Sequence, residues 1–165
     1  MALKLDISKA YNRVEWDFLR KIMDRLGFDE CWIQLVMMCV CTTSYVVLMN
    51  GEPTGYIKPT RGIRQGDPLS PYLFLFCAEG LSALLRDAGM KNKIHRVAIC
   101  HGGPKVSHLL FADDRLLFCQ ANLDECLTVL KALEKYEKAS SQVINKEKTD
   151  IFFSKNTQEH IRHNI

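Results

Sequence analysis

Apolar residues along the chain follow two rhythms, and the switches between them mark out the elements. Ala2 to Ile7 alternates polar and apolar, the period of a strand with one buried face, and carries Asp6 near its end. Ser8 then offers a cap for a short turn through Tyr11. From Glu15 to Leu26 the residues Trp16, Phe18, Leu19, Ile22, Met23 and Leu26 recur at helical spacing, and Gly27 supplies the stop. Cys31 to Cys41 is almost wholly apolar, which predicts a second, buried helix. Tyr45 to Met49 is β-branched and aromatic, Asn50-Gly51 is a hairpin signal, and Gly55 to Pro59 returns as the partner strand. The loop Arg61 to Pro71 then opens a long apolar helix from Ser70 to Ala88, with Ser70 as cap and Pro71 in the first turn.

The second half continues the mixture. Lys93 to Cys100 reads as a strand and His101 to Pro104 as a turn. In His108 to Gln120, H-L-L-F-A-D-D-R-L-L-F-C-Q, two apolar runs flank Asp113 and Asp114, which predicts a hairpin with carboxylates at its tip. Leu123 to Lys138 is an amphipathic helix expected to bury Leu123, Leu127, Leu130 and Leu133. A polar connection over Ser140 to Lys148, a last strand at Thr149 to Phe153 and a frayed polar tail complete the chain. Strands interleaved with helices, including two hairpins, give an α+β domain with a mainly antiparallel sheet packed against helices.

Composition adds bounds rather than identity. The 165 residues suffice for one domain with a core, and 22 basic against 19 acidic residues tolerate a polyanionic partner without demanding one. Seven cysteines, with no C-x-x-C pair, read as reduced core residues rather than a disulfide framework or zinc site. With no signal-peptide pattern and no apolar run long enough to span a bilayer, the expectation is a soluble intracellular protein without membrane contact, in nucleus or cytoplasm. A strand beginning so close to Met1 suggests a piece of something larger.

The chemistry lies in the acids. Asp113 and Asp114 taken alone read equally well as a solvated turn, because aspartate is a favoured turn residue. Antiparallel pairing of their hairpin with the first strand brings Asp6 beside them. Three carboxylates with no nitrogen or sulfur partner favour a hard cation such as Mg²⁺. Two such ions, roughly 3.5 to 4 Å apart, clamp the attacking and leaving oxygens of a phosphoryl transfer, and nucleotidyl transfer fits.

Four segments in order carry a resemblance: L-D-I-S-K-A-Y-N-R-V at Leu5 to Val14, R-G-I-R-Q-G-D-P-L-S-P at Arg61 to Pro71, F-A-D-D at Phe111 to Asp114, and I-N-K-E-K-T at Ile144 to Thr149. Together they resemble the palm motifs of reverse transcriptases, most closely those of non-LTR, LINE-type retrotransposons of plants. The resemblance implies a polymerase palm over residues 1–154 with a polar tail at 155–165, and an RNA-directed DNA polymerase activity. It implies Asp6 and Asp113 as metal-binding catalytic acids, with Asp114 as the assisting acid of the same metal site. The cofactor would be two Mg²⁺ ions, with Mn²⁺ a substitute. The partners would be an RNA template, a DNA primer and dNTP.

By the same resemblance, Tyr11 is the steric gate against a 2′-hydroxyl, Gln65 and Gly66 line the incoming nucleotide and the template base, Arg64 contacts template or phosphate, and Lys148 protonates the leaving pyrophosphate. Asn12 stands where relatives commonly have a second acid. Arg115 stands where a small residue is usual, next to Asp114, with which it could pair in competition with the metal. Fingers and thumb are missing from this reading, so the chain is expected to be an isolated palm fragment with weak or no activity. The rival readings are a non-catalytic nucleic-acid-binding or structural remnant, and a palm of the group II intron maturase kind.

Overall fold

The computed structural model describes residues 1–111 and 114–165. Its centre is a four-stranded antiparallel sheet of β1 (Ala2–Leu5), β7 (His108–Phe111), β8 (Asp114–Phe118) and β10 (Asp150–Phe152), in the order β10-β1-β8-β7. Alternation decides which face is covered. Leu3 and Leu5 of β1, and Leu117 of β8 with Cys119 beyond its end, point into a helical layer and are buried. Lys4 and Asp114 lie on the other face and stay exposed.

The helical layer comprises α1 (Trp16–Arg25), α2 (Glu30–Cys41), α3 (Ser70–Met90) and α4 (Leu123–Ser140). The 21-residue α3 links the two core clusters. Its Leu81, Leu85 and Ala88 pack with Leu3, Leu5, Leu117 and α4, whereas its Leu73, Phe74 and Cys77 pack with Leu19, Met23, Ile33 and Val36 of α1 and α2. Short pairs complete the fold: β2 (Ile7–Ser8) with β9 (Val143–Ile144), β3 (Tyr45–Met49) with β4 (Glu52–Ile57), and β5 (Val97–Ala98) with β6 (Lys105–Val106). A 3-10 turn covers Lys146–Lys148, and α5 (Glu159–Asn164) forms a short helix in the polar tail, where fraying was expected.

Three further expectations need correction. The α2 helix is apolar but half uncovered: Ile33, Val36 and Val40 are buried, while Leu35 and Met38 are exposed. On α4 the buried stripe is Cys126, Val129, Leu133 and Tyr136, and Leu123, Leu127 and Leu130 face outward. Both stripes have helical spacing, and the aromatic ring and small residues make the closer fit to α3 and the sheet. All seven cysteines are free, yet only Cys77, Cys119 and Cys126 belong to the core. Burial pushes the thiols of Cys77 and Cys119 up to about 12, so both are unreactive.

One buried carboxylate organises the entry to α4. Glu125 accepts the backbone N–H groups of His95 and Gln120 at 3.0 and 2.9 Å and meets His95 Nδ1 at 2.7 Å. Burial alone would raise its pKa, but these hydrogen bonds outweigh burial and hold it below the usual glutamate range. A lowered folded-state pKa stabilises fully above about pH 4.5 and is lost as pH falls through the folded value. In thermal unfolding, Glu125→Gln is therefore expected to lower the melting temperature at pH 7, with the gap to the parent narrowing progressively below pH 4.5.

Candidate active site

The β1–β8 register ends with Leu5 paired to Arg115, and Asp6 and Asp114 are the residues that flank this last pair. Both acids thus lie on the sheet face that the helices leave open. Asp114 is exposed and Asp6 half-buried, and neither forms a salt bridge among the described residues. Asp113, the third predicted acid, lies outside the described residues. Among the described residues no group of three or more metal-ligating side chains occurs. Carboxylates at the ends of neighbouring strands, without a salt bridge among the described residues, nevertheless suit a hard divalent cation.

Asp6 is held by Asn145, whose position within I-N-K-E-K-T gives no sign of this contact. Asn145 donates its backbone N–H to the Asp6 carbonyl at 2.9 Å and its side-chain Nδ2 to Asp6 Oδ2 at 3.4 Å. The contact follows from the β2–β9 pairing, in which Ile7 faces Ile144 and so brings the next residue against Asp6. Lys148 sits in the 3-10 turn after Asn145, exposed, its backbone N–H donated to the Asn145 carbonyl at 3.2 Å.

The loop Arg61 to Pro71 docks directly on the turn that carries Tyr11. Gly62 donates to the Val14 carbonyl at 2.7 Å, Ile63 donates to the Tyr11 carbonyl at 2.9 Å, and Trp16 Nε1 donates to the Gly62 carbonyl at 2.8 Å. Gly62 has φ +88°, and a Cβ there would stand 2.9 Å from the Asn12 carbonyl oxygen. Strain and collision coincide, so Gly62→Ala is expected to cost roughly 3 kcal/mol in urea unfolding. Gly66, with φ +84° and open space around it, should lose only about 1 kcal/mol on the same change.

That docking ties the loop of Arg64, Gln65 and Gly66 to the Tyr11 turn through the backbone. The Tyr11 ring stacks on Phe74 with centroids 4.9 Å apart and planes 12° from parallel, so its position is fixed from α3. Arg64 and Gln65 are exposed on a shallow pocket that they line with Asn12, Tyr45 and Arg61. Exposed Gly66 follows them.

Arg115 is not where its position beside Asp114 suggested. Neighbouring residues in a strand face opposite ways, so Arg115 enters the helical core and is only 1% exposed. Its Nη2 donates to Gln142 Oε1 at 3.0 Å and to the Tyr136 hydroxyl at 3.3 Å, its guanidinium lies 4.9 Å from the Tyr136 ring centre, and its Nε has no partner among the described residues. Asp114 therefore keeps its charge unpaired by this arginine.

A four-stranded antiparallel sheet with helices on one face and acids on the other defines a polymerase palm-type fold. Solved telomerase chains share it: apo telomerase from Candida tropicalis aligns over 96% of this chain and 31% of its own, with a TM-score of 0.66 at 17% identity. Telomerase from Candida albicans in complex with a fragment of telomeric RNA gives 0.69 at 15% identity, over 95% and 28%. At such identities the likeness is one of fold. A model of the family described as reverse transcriptase (RNA-dependent DNA polymerase) matches residues 1–162, and the chain belongs to that family.

Relatives agree with the non-LTR resemblance. The chain is 30% identical over 122 residues to a Pol polyprotein from the type-1 retrotransposable element R2 of Popillia japonica, and 33% over 119 residues to that of Nasonia vitripennis. An uncharacterized mitochondrial protein of Arabidopsis thaliana is 47% identical over 75 residues, or 46% of the chain. These matches span 62% of the Arabidopsis protein, 19% of the Popillia polyprotein and 10% of the Nasonia one. No helix among the described residues is long and apolar enough to cross a membrane.

Proposed function

We propose that residues 1–154 form the palm of an RNA-directed DNA polymerase acting inside the cell, with 155–165 an appended tail and with fingers and thumb needed from outside these residues. The observation that supports this reading is the β1–β8 register, which ends at Leu5 and Arg115 with Asp6 and Asp114 as the flanking residues, in a chain of the reverse transcriptase family. Asp6, Asp113 and Asp114 would hold two Mg²⁺ ions, or Mn²⁺. When bound, these ions lower the pKa of a primer 3′-hydroxyl and neutralise charge developing on the leaving pyrophosphate.

The chain's own residues do the rest. Tyr11, braced by Phe74, presents an aromatic edge where a 2′-hydroxyl would collide, which selects dNTP over ribonucleotides. Gln65 and Gly66 line the base pair being formed, Gly66 by letting backbone approach without a side chain. Arg64 contacts the RNA template or a phosphate. Lys148 Nζ donates a proton to the departing pyrophosphate, and Asn145 orients the Asp6 carboxylate.

A primer-extension assay on poly(rA) with an oligo(dT) primer and Mg²⁺ or Mn²⁺ tests this. Chain 1–165 is expected to extend weakly, because template positioning supplies much of phosphoryl-transfer catalysis. Asp113→Asn abolishes what extension there is. Absence of extension with template binding retained would replace this reading by the non-catalytic one.

A further inference from the structure

On the side of the helical layer turned away from the sheet, a groove of about 400 Å³ runs between the C-terminal part of α3 and α4. Five lysines line it: Lys91, Lys93, Lys131, Lys135 and Lys138. Its two acids are Asp87, already paired with Lys91 at 2.7 Å, and Glu134. Among the described residues, Lys93, Lys131, Lys135 and Lys138 make no salt bridge. The groove thus carries a net charge as large as the +3 of the whole chain, concentrated on one strip.

The lysines are ordered. Lys131, Lys135 and Lys138 repeat at i, i+4 and i+7 along one face of α4, which places their stems about 6 and 4.5 Å apart along the axis. A flexible single strand carries one negative charge per nucleotide and can follow such a row of cations. The lining contains no aromatic ring to stack a base and no arginine to read one, so its chemistry addresses phosphates alone. None of the lining residues belongs to β1 or β8, which carry or flank Asp6 and Asp114, so the strip is built from different elements than the acid face.

We propose that the α3–α4 groove is a second, sequence-independent binding site for a single strand of nucleic acid, gripped through its phosphates. The site does not depend on polymerase activity at the acid face. A bilayer is the less suited polyanion, because the charges line a concavity rather than a convex face that could insert apolar side chains.

The test is fluorescence anisotropy of fluorescein-labelled (rU)20 and (dT)20 with chain 1–165, titrated over a range of salt. Lys131→Glu/Lys135→Glu/Lys138→Glu is expected to weaken both oligonucleotides at least tenfold and to reduce the salt slope by about 2, the release expected for three lost phosphate contacts on a single strand. The milder Lys131→Gln/Lys135→Gln/Lys138→Gln set, with circular dichroism showing α4 intact, should give a smaller loss in the same direction. A charge-matched control, Lys21→Glu/Arg25→Glu/Lys155→Glu, and the acid-face change Asp6→Asn should each stay within threefold of the parent. The proposal is overturned if the control set loses as much as the groove set, which would make the effect one of net charge. It is overturned equally if the groove set binds normally, or if it loses only affinity for vesicles containing phosphatidylserine. Loss of primer extension in Asp6→Asn with oligonucleotide binding unchanged separates the two faces.

Discussion

Asp6→Asn is expected to lower nucleotide incorporation by roughly 10³-fold, the scale on which one electrostatic element at a transferring phosphoryl group is felt. The substitution keeps the shape of the side chain and its neighbour Asn145, and removes only the charge. Asp6 also stands half-buried where β1 gives way to β2, so it has less room than an exposed acid to be replaced by water. Asp114→Asn should cost less, about tenfold, because Asp114 is exposed and is proposed only as the assisting acid. Because turnover of the chain is expected to be low, Mn²⁺ binding gives a readout that does not rest on activity. Loss of the free-ion EPR signal on adding protein should be much weaker with Asp6→Asn, and intermediate with Asp114→Asn. An Asp6→Asn protein that binds Mn²⁺ within twofold of the parent would remove Asp6 from the proposed metal site.

Much of this frame was legible from residue patterns alone. The two-residue period of Ala2 to Ile7 and the apolar runs around Asp113-Asp114 found β1, β7 and β8, because a half-buried strand writes its buried face directly into the sequence. The same period should have placed Arg115. With Leu117 and Cys119 inward, a residue two positions earlier must be inward as well, and only the expectation that arginine prefers water argued otherwise. On α4, Leu123, Leu127 and Leu130 competed with Cys126, Val129 and Tyr136 as the buried stripe, and only the neighbours could choose between them. The β2–β9 pair joins two residues to two, too short to show any period, and so the contact between Asn145 and Asp6 was not visible. Gly62 lies in a loop whose string gives no sign of its close approach to Asn12, because that contact depends on distant chain.

The buried arginine leads to an asymmetric result: Gln142→Leu is expected to destabilise the fold by roughly 3 kcal/mol, whereas Arg115→Leu is close to neutral or stabilising. Gln142 is 1% exposed and acts as the hub of the polar cluster. Its Oε1 accepts from Arg115 at 3.0 Å and from the Tyr136 hydroxyl at 2.7 Å, and its Nε2 donates to the Ala10 carbonyl at 3.3 Å. Removing that amide leaves a guanidinium in the core with the Tyr136 ring and a 3.3 Å hydroxyl contact, and with Nε already unpartnered among the described residues. Removing the arginine instead takes the charge out of the core, and leucine fills much of the same space against Tyr136. In the double variant Arg115→Leu/Gln142→Leu the penalty of Gln142→Leu should fall to about 1 kcal/mol, because no charge is left to strand. Urea midpoints of the four proteins, with unchanged slopes, give this coupling directly. Additive losses would mean that Gln142 acts through Ala10 and Tyr136 alone. Strong coupling would show that the chain carries a cation beneath its acid-bearing strand at a stability cost that a leucine would avoid.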